Sequence, residues 1–153
     1  MAYESTGVAV WTSQGEIMKL VMAHGGTAVG FDAEGLVEGF HAKIKIGGVD
    51  YVIHITAHCQ PAPMKRKDGR SSYLSPTTED WRAKFAEQER RRVWRVLFYY
   101  LKNAFECAAA GVVELREILL PHIVMGDGLT IGQHILPRLE QAVQDNPARL
   151  LGA

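Results

Sequence analysis

Cysteine is scarce in this chain, with only Cys59 and Cys107 among 153 residues. Two thiols cannot make the framework of a disulfide-stapled mini-protein, and their use suits a reducing compartment. Long apolar runs are also missing. Stretches such as Val96 to Leu101 fall far short of the roughly 18 residues that suggest a membrane span. The N-terminal stretch lacks a basic start followed by an apolar run, so no secretory signal and a cytoplasmic location are expected. No internal repeat and no low-complexity tract occurs. Net charge is absent as well, with 17 Lys and Arg against 17 Asp and Glu.

What remains is ordinary for a globular protein. The hydrophobic fraction is 47% and the charged fraction 22%, enough for a core that needs neither metal nor disulfide. A single domain over residues 1–153 follows from the length. The neutral total hides an asymmetry. Residues 61–102 hold eleven Lys and Arg against five Asp and Glu, and the segments on either side each hold three against six. Such a segment can present a basic face to a partner, or it can pair with its own acidic flanks.

Residues 1–12 show no period and read as an arm. Ser13 and Glu16 have capping-box spacing, so a helix is expected from Gln14 to the Gly25-Gly26 stop. A short strand over Thr27–Phe31 follows, and Asp32-Ala33-Glu34-Gly35 reads as its turn. The clearest local signal is a hairpin over Leu36–His58. With Gly47-Gly48 as a two-residue turn, Phe40 faces Ile55, Ala42 faces Ile53, Ile44 faces Tyr51 and Lys45 faces Asp50. All large apolar side chains then share one face, which a slip of one residue would scatter. His41 and His54 come out opposite each other on the other face, beside Lys43 and Lys45.

Residues 60–77 form a loop with two early prolines and a Lys65-Arg66-Lys67 cluster, long enough to be functional or disordered. Thr77 or Thr78 can cap the long helix expected over Glu79–Ala110, which Gly111 ends. A short helix over Val112–Leu120 is closed by Pro121. Thr130 and Gln133 form a second capping box, opening a last helix to Gln144 with Pro137 inside it. The fold class is therefore α+β: an N-terminal helix, a three-stranded antiparallel sheet, a long helix packed on it and two shorter C-terminal helices.

The long helix carries a second stripe. Lys84, Gln88, Arg91, Arg95, Tyr99 and Lys102 recur at helical spacing on one face. A row of cations with an aromatic suits phosphate contacts and base stacking. The loop residues Lys65, Arg66, Lys67 and Arg70 form a second basic element, and Lys43 and Lys45 a third. A solvated face partly paired through Glu87 and Arg91 is the competing account.

Evidence for catalysis is thin. The chain has no Gly-x-Ser-x-Gly, no Walker loop, no His-Glu-x-x-His and no Cys-x-x-Cys. Gly126-Asp127-Gly128 through Gly132 departs from a dinucleotide fingerprint in spacing and charge, and reads as a tight turn into a helix. His54 and His58 on a strand are about 13 Å apart and cannot share an ion. His41 and His54 make a better pair but show no third ligand in the sequence. No catalytic residue, metal site or cofactor is expected.

The segments Arg92-Val93-Trp94-Arg95-Val96-Leu97, Lys102, Phe105-Glu106, Gly111-Val112 and Leu120-Pro121-His122-Ile123-Val124-Met125-Gly126-Asp127-Gly128 resemble a group of small uncharacterised bacteriophage and prophage proteins. Gly126 and Leu129 stand where that pattern has Pro and Arg. The resemblance spans about residues 90–135. It implies a mobile-element setting, where nucleic-acid handling and interference with host defence are common tasks. In element order alone, three strands and a long helix are similar to ring-forming single-strand annealing proteins. The leading expectation is a non-enzymatic, homo-oligomeric accessory protein binding single-stranded DNA, with Tyr99 stacking and the cations above on phosphates. The alternative is a protein-interaction module, such as a phage inhibitor of a host complex or a structural subunit.

Overall fold

The computed structural model describes Tyr3, residues 5–63 and residues 76–145. The basic loop residues Lys65, Arg66, Lys67 and Arg70 lie outside the described residues. The element order is α1 (Val10–Ala23), β1 (Gly26–Glu34), β2 (Val37–Ile46), β3 (Val49–His58), α2 (Pro76–Ala109), α3 (Leu115–Leu119), a 3-10 turn (Leu120–His122) and α4 (Ile131–Asp145). This is the expected α+β layout.

The three strands form one antiparallel sheet in the order β1-β2-β3. The β2–β3 register follows the apolar pattern, with Phe40 opposite Ile55, Ala42 opposite Ile53, and His41 opposite His54. Gly47 and Gly48 take φ of 57° and 81°, the left-handed pair that a tight hairpin needs and that side-chain-bearing residues resist. The inner face buries Phe40, Ala42, Ile44, Ile53 and Ile55 against Val93, Trp94, Leu97, Leu101 and Phe105 of α2, with Ile17 and Val21 of α1. Trp94 is fully buried and meets Phe31 edge-on with ring centroids 5.5 Å apart.

Four boundaries differ from the sequence expectation. Helix α1 begins a turn early at Val10, and Ser13 lies inside it with its hydroxyl buried and unpartnered. Burial of Val10 in the core outweighs the capping-box signal. Strand β1 continues through Asp32 to Glu34, and the turn sits at Gly35-Leu36, with Glu34 opposite Val37. Pairing with β2 overrides the turn propensity of Asp32-Ala33-Glu34-Gly35. Helix α2 starts at Pro76, a residue suited to a first helical turn, so Thr77 and Thr78 fall inside it. Beyond α2, α3 is a single turn, Leu115–Leu119.

The C-terminal segment then crosses to the sheet. The Val124 N–H donates to the Val52 carbonyl at 2.8 Å, and Ile123 bridges Ile53. This short strap covers part of the edge of β3, where unpaired backbone groups would otherwise invite another strand. Met125 to Leu129 make the tight turn read from the glycines, closed by the Met125 N–H on the Leu129 carbonyl at 2.8 Å. The second capping box is complete: Thr130 Oγ1 accepts from the Gln133 N–H, and Gln133 Oε1 accepts from the Thr130 N–H.

Candidate functional site

The cationic stripe of α2 is occupied by the protein itself. Arg95 is buried and donates to Glu16 of α1 at 2.6 Å, with its guanidinium 4.3 Å from the Phe98 ring centroid and 5.1 Å from that of Tyr99. Tyr99 stacks on Tyr3 at 5.2 Å, and Gln88 donates to the Thr6 carbonyl at 3.0 Å. Around them Lys84 pairs with Asp80, Arg91 with Glu87 and Lys102 with Glu106. The stripe therefore seats the N-terminal segment and α1, and its cations have carboxylate partners within the fold. Helical spacing put these side chains on one face. Nothing local in the sequence showed which segment lies over that face.

A second cluster of charge is buried at the other edge of α2. Glu38 of β2 accepts from Arg90 Nε, and from Trp94 Nε1 at 3.3 Å. Glu89 is held by Arg92 through two bonds of 2.8 and 2.6 Å and by the Gln60 N–H at 2.9 Å. These bonds, led by Arg92, hold the Glu89 carboxyl below the usual carboxylate range against the opposing effect of burial. Cys59 beside them is pushed up by burial and by the two carboxylates, which makes it a poor nucleophile. The arrangement ties strand to helix.

The outer face of the sheet carries the polar groups. Lys43 and Lys45 lie there with His41 and His54, and Lys43 pairs diagonally with Asp50 at 3.7 Å. Asp32 joins them because β1 extends past the expected turn. Its Oδ2 lies 3.2 Å from His41 Nδ1 and 3.3 Å from His54 Nε2, and the two imidazoles stack with centroids 3.7 Å apart. Partial burial and the neighbouring His41 lower the pKa of His54, with Asp32 opposing them. Sequence reasoning paired His41 with His54 but missed Asp32. The extra strand residues, visible only as Glu34 opposite Val37, are what place it. Asp32 and His54 also line a groove of about 550 Å³ together with Ala33, Glu34, Val37 and Thr56.

Helix α4 presents an uncovered apolar face. Ile135, Leu136, Leu139 and Val143 are 40–60% exposed, and no residue of the helix is buried. At 3.6 residues per turn these four and Ala142 fall within an arc of about 120°, while Gln133, His134, Arg138, Glu140, Gln141 and Gln144 lie outside it. A second exposed apolar row, Trp11, Met18 and Met22, lies on α1. Among the described residues no helix is long and apolar enough to cross a membrane. No protein-family model matches the chain, and no curated protein or solved structure matches it either.

Proposed function

We propose that the protein is a non-enzymatic interaction module that assembles through the apolar face of α4, with a second copy of the chain as the first occupant. The observation that carries this is the segregation of Ile135, Leu136, Leu139 and Val143 onto one exposed side of a helix. A soluble helix normally buries such a stripe. In the mobile-element setting implied by the phage-protein resemblance, such a module would serve as a structural subunit or as an inhibitor of a host complex. Apolar burial does not weaken with salt, so assembly is expected to persist at high ionic strength. Sedimentation velocity over a concentration series, at low and high salt, tests it. Wild type should associate under both conditions, and a Leu136→Glu, Leu139→Glu variant should be monomeric. A wild-type chain that is monomeric throughout refutes the proposal.

Nucleic-acid binding is the second proposal, favoured by Lys43 and Lys45 on the same outer sheet face. Single-stranded DNA would lie across that face with Lys43 and Lys45 on its backbone. Fluorescence anisotropy of labelled single-stranded and duplex oligonucleotides at about 50 and 200 mM salt decides it, because phosphate contacts weaken steeply over that range. Loss of binding in a Lys43→Glu, Lys45→Glu variant would support this surface. No binding by wild type at the lower salt would remove it.

A further inference from the structure

We propose that Asp32, His41 and His54 form a binding site for a divalent transition-metal ion, with zinc as the best match. The three residues come from three adjacent strands and meet on the outer face of the sheet. One ligand atom from each lies within 4.8 Å of the other two, and the two Asp32–imidazole separations are 3.2 and 3.3 Å. Ligands at ~2.0–2.2 Å around a tetrahedral zinc stand roughly 3.3–3.5 Å from one another. Two of the three edges are therefore already at coordination length.

The donor set agrees with this. Two imidazoles and one carboxylate are the ligands of water-bearing zinc centres and of open-sided iron centres, both of which leave positions free for a small ligand. Here the free positions would face the groove beside Glu34, Val37 and Thr56. The backbone is adapted to the convergence. A methyl group at Gly39, which lies between Asp32 and Thr56 in register, would come 2.7 Å from Asp32 Oδ1 and 3.3 Å from His54 Nε2. Glycine at this position lets Asp32 lean across β2 towards β3. The His54 Nε2 atom is shielded from solvent and has no hydrogen bond of acceptable geometry, although Asp32 is close. A metal ion would satisfy it.

The stacked imidazoles lie within 10° of parallel, so their in-plane lone pairs run side by side. Coordination requires one ring to turn until the lone pairs converge. His41 is the ring with room to do so, since its neighbour across β1 is Gly30, which has open space where a side chain would stand.

The test uses the full chain, freed of metal with a chelator and then titrated with Co²⁺, whose visible absorption reports ligation. Zn²⁺ is added afterwards as the competitor. One Co²⁺ per chain, displaced by one Zn²⁺, is expected. Asp32→Asn, His54→Gln and His41→Phe should each weaken uptake by at least about 100-fold, beyond what loss of a supporting group alone costs. His41→Phe keeps a ring stacked on His54 while removing a ligand atom, so it stays informative if the other variants fold poorly. His58→Gln and His134→Gln lie outside the triad and should leave uptake unchanged. Absence of both cobalt absorption and a zinc-dependent rise in Tm in wild type overturns the proposal, as does uptake that survives in all three triad variants.

Discussion

Arg95 offers a sharp test of whether the cationic stripe of α2 holds the fold together. Its side chain is 8% exposed and faces Glu16, which is 42% exposed, at 2.6 Å. A charge-assisted hydrogen bond of this kind is worth about 1.5–3 kcal/mol, and the contacts with the Phe98 and Tyr99 rings add about 0.5–1 kcal/mol. Glu16 can regain water when its partner is removed, and the buried Arg95 Nε lacks a partner already, so the lower half of that range applies. Arg95→Ala should therefore cost about 2–3 kcal/mol. Lys84 and Asp80, 76% and 66% exposed at 3.0 Å, form the comparison pair, and Lys84→Ala should cost below about 0.5 kcal/mol. Urea unfolding followed by circular dichroism separates the two, because at about 1–3 kcal/mol per molar the Arg95→Ala midpoint drops by roughly 1 M. An Arg95→Ala midpoint no lower than that of Lys84→Ala would refute the reasoning. The result also governs binding assays. A charge-reversed Arg95 variant would loosen α1 from α2, so it cannot separate a lost partner contact from lost packing.

Acidification should destabilise the fold in two steps. Burial lowers the pKa of His122 below the ordinary histidine value of 6.5, so the unfolded chain takes up its proton first and stability falls as pH drops below that value. His54, also lowered by partial burial and by His41, contributes in the same window, so His122→Gln should shrink this step in urea midpoints measured across the range without abolishing it. Glu89 is held below the ordinary value of 4.5, so its contribution is full above that pH and is lost as pH falls through its folded value. Glu89→Gln should remove that second loss while lowering the neutral-pH midpoint. At Gly39, an added methyl would lie 3.0 Å from the Ile55 carbonyl, which is fixed in the sheet, as well as 2.7 Å from Asp32 Oδ1. Gly39→Ala should cost about 1–3 kcal/mol as overpacking, and an unchanged thermal midpoint would show that the strands give way.

The residues that determined their own place did so through short-range pattern. Gly47-Gly48 as a two-residue turn specified the β2–β3 register, including His41 against His54, and a slip of one residue would part the apolar set of Phe40 and Ile44 from that of Ile53 and Ile55. The Thr130 and Gln133 capping box formed as read, since both partners lie within one helical turn. Helical spacing likewise placed Lys84, Arg91, Arg95, Tyr99 and Lys102 on one face of α2. Tertiary structure decided what that face meets. Glu16 and Tyr3 reach it from far along the chain, and Arg95 is buried only because α1 packs there. It also moved Asp32 from a presumed turn into β1, beside two histidines whose third neighbour no local pattern disclosed. The common reason is range. A period or a cap is settled by neighbours within a few residues, whereas the partner of a charge and the cover of an apolar face depend on which distant segments the core brings together.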